Sequence, residues 1–265
     1  MPRFGFFGNI IKLQMIVIIF LAASCTQQYT KTDEKITGPL PREQISQETI
    51  SIKSENAMDV DLKTDDNLNV KATFYKGNKD MPSIILLHML GRTRGDWASF
   101  AIELQKIGYN IIAIDSRGHG QSDMDFRSFS GGDFNKMVLD AKAANDFLTK
   151  NEIGDKVGII GASIGANTAL NFAAQDSSIR TVILLSPGLE YRGIKTDEPI
   201  KQFKNPILIA ASESDTYAAD SSRTLGSLSK SSTLKIYTGS LHGTNLLGRT
   251  DINKIIVDWL DKNLR

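Results

Sequence analysis

Cysteine is almost absent from this sequence: Cys25 is the only one in 265 residues. A single cysteine cannot form a disulfide within the chain, which excludes a disulfide-stapled scaffold. Histidine is also scarce, with only His88, His119 and His242. No combination of His, Cys and Asp has the spacing of metal ligands, and no glycine-rich segment has the pattern of a phosphate-binding loop. We therefore expect no metal and no cofactor.

The chain has almost no excess of charge, with 31 Lys and Arg against 30 Asp and Glu. A nucleic-acid-binding protein needs a basic stripe along the phosphate backbone, and no polybasic run occurs here. Nucleic acid is therefore not expected as a partner. The apolar fraction of 41% and the length of the chain suit one globular domain with a large core.

The beginning of the chain differs in composition from the rest. Two cations, Arg3 and Lys12, precede an unbroken apolar run at residues 15–23. Small residues then lead to Cys25. This pattern is typical of a secretory signal peptide, predicted here for residues 1–24. The run is short for crossing ~30 Å of hydrocarbon. Two alternatives stay open: an uncleaved membrane anchor, and a signal peptide followed by the cysteine by chance.

Residues 25–48 are rich in Thr, Gln, Lys, Glu and Pro and have little apolar periodicity. Such a segment buries too little apolar surface to offset the entropy lost on ordering. We predict a flexible tether over residues 25–48 and a single α/β domain over residues 49–265.

Within that domain, strand patterns alternate with helix patterns. Period-two alternation on both sides of residues 64–67 predicts an antiparallel hairpin at the edge of a sheet. Later apolar runs have two apolar faces, as in parallel strands covered by helices, so we expect a doubly wound sheet. The predicted strands are 83–87, 111–114, 157–160, 181–185, 206–210 and 234–237, and the predicted helices lie near 96–107, 134–150, 164–175, 218–229 and 251–263.

The candidate nucleophile is a serine between two glycines. Gly161-Ala-Ser-Ile-Gly165 follows a predicted strand and precedes a helix-forming stretch. On such a tight strand-to-helix turn the serine backbone is strained, and the glycines let neighbouring chain pass close by. We predict that Ser163 is a nucleophile rather than an ordinary turn serine.

A serine hydroxyl needs a base to activate it and a third group to orient that base. His242 follows the last predicted strand, at the carboxyl end of the sheet where open α/β proteins bind ligands. It is therefore the predicted base. His88 and His119 both lie upstream of the serine and are interpreted as structural.

The predicted acid is Asp215. The chain order of serine, acid and histidine restricts the search to residues 163–242, and Asp215 directly follows a predicted strand. Glu213 and Asp220 are rivals, and any of the three could instead cap the following helix.

A tetrahedral intermediate also needs two backbone N–H donors. The first is expected from the residue after the nucleophile, Ile164. The second is expected from the loop after the third strand, for which we predict Leu90.

Taken together, these segments resemble the α/β-hydrolase superfamily from about residue 58 to the C-terminus. The resemblance is carried by residues 84–91, 115–122 and 161–165 and by the segments around Asp215 and His242. It is strongest to small cap-poor esterases and to serine-type relatives of dienelactone hydrolase. It implies an α/β-hydrolase fold with a mostly parallel, doubly wound sheet, an N-terminal antiparallel hairpin and no large cap domain.

The chain departs from that family pattern at one position, and one substrate class is not carried over. Met89 replaces the first glycine of the family's His-Gly-x-Gly loop, which leaves open whether Leu90 or Met89 provides the second N–H. The resemblance also implies a structural role for His119. Dienelactone hydrolases themselves use a cysteine nucleophile, and this chain offers only Cys25, so their substrates are not transferred.

The resemblance implies a serine hydrolase acting on a small-molecule carboxylic ester. Because residues 187–205 are too few for a helical cap domain, we expect an open groove and a preference for short acyl groups. Two alternatives remain: an amidase or peptidase with the same triad, and a catalytically inactive, lipid-anchored binding module.

The residues before Cys25 carry a second resemblance. Leu21-Ala-Ala-Ser-Cys25 is similar to the lipobox of bacterial lipoproteins. It implies a lipid on Cys25 and a membrane as partner. Thr26 is not the aspartate of an inner-membrane retention signal, which favours the outer membrane in a bacterium with two membranes.

Overall fold

The computed structural model of the protein describes residues 56–248 and 250–265. The predicted signal peptide (1–24), the predicted lipidation site Cys25 and the predicted tether (25–48) lie outside the described residues. None of the helices in the described ranges is both long enough and apolar enough to span a membrane.

Ten strands form the β-structure of the described chain. They are β1 (Ala57–Lys63), β2 (Asn69–Tyr75), β3 (Ser83–Leu87), β4 (Asn110–Ile114), β5 (Val157–Ala162), β6 (Ile179–Leu185), β7 (Glu190–Tyr191), β8 (Ile194–Lys195), β9 (Ile207–Ser212) and β10 (Ser232–Tyr237). Eight of them form one sheet in the order β1-β2-β4-β3-β5-β6-β9-β10, and β7 pairs only with β8. In this order, all neighbouring strands from β4 to β10 are parallel. The pairs β1–β2 and β2–β4 are antiparallel.

The central strands are buried on both faces, which explains their uninterrupted apolar sequences. Every residue of β3, β4, β5 and β9 is buried. The hairpin of β1 and β2 lies at the edge, and its turn contains Asn67 with a φ of 67°, a conformation that asparagine tolerates better than most residues. The predicted strands, the edge hairpin and the doubly wound sheet are confirmed.

Seven helices accompany the strands in the described chain. They are α1 (Ala98–Lys106), α2 (Gly131–Asn135), α3 (Met137–Lys150), α4 (Ile164–Ala173), α5 (Pro199–Gln202), α6 (Thr216–Leu228) and α7 (Thr250–Asn263). Helices α1 and α7 pack on one face of the sheet, and α3, α4 and α6 pack on the other. The two apolar cores hold the sheet rigidly between the helices, so its carboxyl edge is a fixed platform.

Two segments differ in detail from the sequence expectation. The helix expected near 134–150 is divided, because Ser130 and Asp133 form a capping box that starts α2, and Lys136 ends it before α3 begins. Residues 187–205 contain the β7–β8 hairpin as well as the short α5. Arg192 and Gly193, between β7 and β8, have φ values of 53° and 89°, the combination that a tight two-residue hairpin turn requires.

A buried ion cluster anchors the turn that follows β4. Arg117 is 1% exposed and contacts Asp140 on α3 at 2.8 Å and Asp66 in the β1–β2 turn at 2.7 Å. The guanidinium lowers the pKa of Asp66 to about 2. Asp115, in the same turn, pairs with Arg94 and accepts the Gln121 N–H. These bonds fix the backbone between β4 and α2, which lies beside the candidate site.

Candidate active site

Ser163 lies between β5 and α4, where a strand turns directly into a helix. Its backbone has a φ of 54° and a ψ of −122°, a strained region that residues with side chains rarely occupy. The surrounding structure enforces this conformation: the Ser163 N–H bonds the Leu185 carbonyl at 2.8 Å, and the Ser163 carbonyl accepts the Ala166 N–H at 2.9 Å. The serine is consequently held at the carboxyl edge of the sheet, with only 8% of its surface exposed.

The two glycines of the motif are required by close backbone contacts. A Cβ at Gly165 would lie 2.5 Å from the carbonyl oxygens of Leu87 and His88, and one at Gly161 would collide with the Gly165 backbone. Only glycine lets β5 turn this tightly into α4 beside the end of β3. The motif therefore places Ser163 next to the loop that carries Met89 and Leu90.

Asp215 and His242 are brought together from the ends of β9 and β10. His242 Nδ1 lies 2.6 Å from Asp215 Oδ2. Asp215 also precedes α6, but its side chain makes no cap hydrogen bond with that helix. Of the two rival acids, Glu213 is exposed, and Asp220 pairs with Arg223 at 2.8 Å. The carboxylate available to orient the imidazole is therefore that of Asp215.

The loop carrying His242 is held by a residue that the sequence did not single out. Ser186 follows β6, which lies between the strands that lead to Ser163 and Asp215. It is fully buried, has a φ of 52°, and accepts the Gly243 N–H on its Oγ at 3.0 Å. Ser186 thus fixes the backbone immediately after the imidazole.

The loop after β3 is oriented by His88. The Ser116 N–H donates to His88 Nε2 at 3.0 Å, so Nδ1 carries the proton and donates to the Met89 carbonyl at 2.7 Å. In a trans peptide the C=O and the following N–H point in opposite directions. The Leu90 N–H is therefore directed away from the His88 ring.

Met89 packs between its own loop and the loop that carries His242. It is 8% exposed, and its sulfur lies against Gly243, where a Cβ would collide with it. The same loop is tied to the histidine loop a second time, because Asp96 accepts from Thr244 Oγ1 at 3.2 Å and from Arg92. The two loops on either side of Ser163 are thus braced against each other.

His119 occupies a structural position close to this loop. Its ring stacks on Phe126 with centroids 4.4 Å apart and meets His88 edge-on at 4.9 Å. Nδ1 lies 2.9 Å from the Arg117 carbonyl, while the buried Nε2 has no hydrogen-bond partner among the described residues. Burial lowers the pKa of His119, which keeps the imidazole neutral.

Tyr191, on the β7–β8 hairpin, is the second residue that sequence reasoning missed. Its ring lies edge-on to the His242 imidazole, with centroids 6.5 Å apart, and edge-on to Tyr217 at 5.5 Å. Burial, and after it the negative charge of Asp215, raise the pKa of Tyr191. The only local signal in the sequence was an aromatic residue directly before an Arg-Gly turn. Strands of two residues are too short to produce a periodic pattern that would predict the hairpin.

A small apolar cluster borders the nucleophile and is separate from the two main cores. Its buried members are joined by partly exposed side chains from the loops around Ser163, which give the site an apolar wall. The cluster comprises Leu90, Phe126, Phe129, Phe134, Met137, Ile164, Tyr191 and Ile194. In residues 56–248 and 250–265, no group of His, Cys, Asp or Glu side chains is arranged to hold a metal ion.

Comparison with protein families matches residues 79–196 to the family described as serine aminopeptidase, S33. Among curated proteins, 2-hydroxy-6-oxononadienedioate/2-hydroxy-6-oxononatrienedioate hydrolase 1 of Dechloromonas aromatica is 29% identical over 127 residues. That match covers 46% of this chain and 42% of the relative. The chain therefore spans less than half the length of this relative.

Solved structures share the fold over most of the chain. The Pyrococcus furiosus esterase Pf2001 superposes with a TM-score of 0.68 and 21% identity, covering 79% of this chain and 93% of that one. Est1E of Butyrivibrio proteoclasticus, solved with ferulic acid bound, gives a TM-score of 0.65 and 17% identity, covering 75% and 98%. At these identities the likeness establishes the fold.

The buried His88 predicts a specific acid sensitivity. Burial lowers its pKa to about 4 from 6.5, so between these pH values the unfolded chain binds a proton that the folded chain refuses. This stabilisation is complete above pH 6.5 and is lost as the pH falls toward 4. Replacing His88→Asn removes the titration. Between pH 7 and 4.5, wild type should lose about 2.5 kcal/mol more than the variant in urea unfolding. Parallel losses in the two proteins would contradict the prediction.

Proposed function

We propose that this protein is a serine hydrolase of the α/β-hydrolase superfamily and that it cleaves a carboxylic ester; the family match over residues 79–196 and the fold shared with solved esterases support this proposal. Ser163 is the nucleophile, His242 the general base and Asp215 the orienting acid. The observation that carries this proposal is the 2.6 Å contact of Asp215 with His242 at the same end of the sheet as a serine held in a strained conformation. Strain of this kind persists only where the surrounding structure over-determines it, and it concentrates at functional sites.

In the acylation step, His242 Nε2 takes the Ser163 proton as the serine oxygen attacks the ester carbonyl carbon. Asp215 accepts a hydrogen bond from Nδ1–H, which keeps Nε2 unprotonated to act as the base and stabilises the imidazolium that forms. The imidazolium then returns its proton to the leaving alcohol, and an acyl-enzyme remains. A water molecule, deprotonated by His242, releases the carboxylic acid and restores the hydroxyl.

The negative charge on the carbonyl oxygen requires donors that are fixed before the reaction. The Ile164 N–H, at the start of α4, is the first of them. For the second donor, the hydrogen bond of His88 to the Met89 carbonyl favours the Leu90 N–H, because that bond turns the Leu90 N–H away from the His88 ring. Met89 has a packing role against Gly243 instead.

An amidase or peptidase is the second candidate, and the name of the matching family, serine aminopeptidase, is the observation that favours it. The same triad performs that reaction but must expel a poorer leaving group. Peptide anilides assayed beside aryl esters separate the two. A catalytically inactive binding module would be indicated if folded wild type failed to react with a fluorophosphonate probe.

Replacement of triad residues tests the proposed roles. Ser163→Ala and His242→Ala should each lower kcat by several orders of magnitude, because triad members act as a unit. Asp215→Asn should lower kcat about 10⁴-fold by disturbing the imidazole tautomer, whereas the matched control Glu213→Gln, on an exposed side chain next to the same strand, should stay near wild type. Kinetics on p-nitrophenyl acetate measure both effects. The opposite order for Asp215 and Glu213 would transfer the acid role.

The acyl group is proposed to be short. Between β6 and β9 the chain has the β7–β8 hairpin and the one-turn α5, which are too short to form a helical domain around a long acyl tunnel. Each buried methylene is worth about 0.8 kcal/mol, a gain that an open groove cannot provide beyond the first few carbons. We expect kcat/KM on p-nitrophenyl esters to peak between acetyl and butyryl. A continued rise past octanoyl would show that a deep acyl pocket exists.

We further propose that the protein is exported and held at a membrane by a lipid on Cys25, in the outer membrane where the bacterium has one. The support is the sequence of residues 21–25, which resembles a lipobox. Cys25→Ser should move the protein from the membrane to the soluble fraction and abolish labelling by a fatty-acid probe. Unchanged fractionation of the variant would instead support an uncleaved apolar anchor.

A further inference from the structure

The Tyr191 hydroxyl is directed into the site. Its ring lies edge-on to His242, and its hydroxyl lies 3.4 Å from the carbonyl of Ser186, the residue whose side chain holds the loop after His242. The contact with Ser186 is long for a hydrogen bond between a hydroxyl and a carbonyl. The phenol proton is therefore available to a better acceptor that enters the site.

The hairpin that carries Tyr191 is clamped from two helices. On α6, the Tyr217 hydroxyl donates to the Glu190 carbonyl at 2.8 Å and accepts the Glu190 N–H at 3.1 Å. On α4, Asn167 donates to the Ile194 carbonyl at 2.8 Å and accepts the Gly188 N–H at 3.0 Å. Because both strands of the hairpin are fixed, the phenol is positioned before any substrate arrives, as transition-state stabilisation requires.

Tyr191 also keeps its proton under the conditions of the proposed reaction. Burial of the ring and the charge of Asp215 both disfavour the phenolate, which raises the pKa of Tyr191. A group of this kind can donate a hydrogen bond but does not itself transfer a proton. His242 remains the group that protonates the leaving alcohol.

We propose that Tyr191 is a catalytic residue, whose hydroxyl donates a hydrogen bond to the leaving-group oxygen as the acyl C–O bond breaks; this inference rests on the proposed ester hydrolysis. The oxygen of the leaving alcohol takes the electron pair of that bond and receives its proton from His242 Nε2. Tyr191 stabilises the charge that develops before this proton arrives. Its ring lies edge-on to the imidazole that protonates this oxygen, so both groups can reach the oxygen as it departs from the acyl carbon.

The dependence on the leaving group tests this role. An alkoxide develops more charge than a nitrophenolate and gains more from a donor, so Tyr191→Phe should affect alkyl esters most. We expect kcat/KM to fall about 10- to 100-fold for ethyl acetate, by an intermediate factor for phenyl acetate, and by less than about 3-fold for p-nitrophenyl acetate. The ratio of two substrates within one preparation does not depend on how much of the variant is folded.

The matched control is Tyr109→Phe, which removes a hydroxyl that donates to Asp261 at 2.7 Å. Tyr109 directly precedes β4, so it lies at the amino end of the parallel strands, opposite the candidate site. This variant should leave the substrate ratios unchanged. An equal loss on all three esters after Tyr191→Phe would assign the hydroxyl to the carbonyl oxygen or to packing, and would overturn the proposal. No loss on any ester would overturn it as well.

A fluorophosphonate probe separates this inference from the proposed function. Its fluoride leaves without needing a donor, so Tyr191→Phe should react with the probe at close to the wild-type rate. If wild type itself does not react, the proposed serine hydrolase activity fails. If wild type reacts and the ester series is flat, only the role of Tyr191 fails.

Discussion

The steric contact between the end of β3 and the start of α4 is the constraint on which the site depends. Gly165 lies so close to the carbonyl oxygens of Leu87 and His88 that no side chain fits between them. This approach brings the strained Ser163 backbone and the β3 loop side by side. The hydroxyl and the candidate N–H donors thus come from segments whose separation is fixed by backbone packing, which is stiffer than any contact between flexible side chains.

Around this contact, the site is assembled from loops that secure one another. His88 bonds both the Met89 carbonyl and the Ser116 N–H, while Asp96 connects the same loop to Thr244. The turn that supplies Ser116 is in turn attached to α3 and to the β1–β2 hairpin through Arg117. A chain of largely buried polar contacts therefore runs from the edge hairpin to the carboxyl edge of the sheet. These hydrogen bonds and ion pairs fix the orientation of the loops, which non-directional apolar packing alone does not do.

The sequence was sufficient for the framework because parallel strands buried on both faces leave an unmistakable pattern. β3 has the bounds that its apolar run predicts, and β4 and β9 differ from theirs by one or two residues. It was sufficient also to point to Asp215 and His242, since each follows such a strand; their catalytic roles stay predictions. Tyr191 was out of reach, because β7 and β8 have two residues each and are positioned by Tyr217 and Asn167 from distant parts of the chain. The orientation of the Leu90 N–H likewise depends on the His88 tautomer, which no local pattern encodes.

The architecture of the β7–β8 hairpin also bears on how related sequences can vary. The anchoring bonds are made by Gly188, Glu190, Ile194 and Thr196, at the base of the hairpin and along its strands. Its tip, by contrast, is a two-residue turn whose Arg192 side chain is exposed. Extra residues inserted there would extend over the site without disturbing the bonds below, as surface turns generally permit. A change of length at this one turn can thus alter how far the candidate site is covered while the sheet beneath it stays intact.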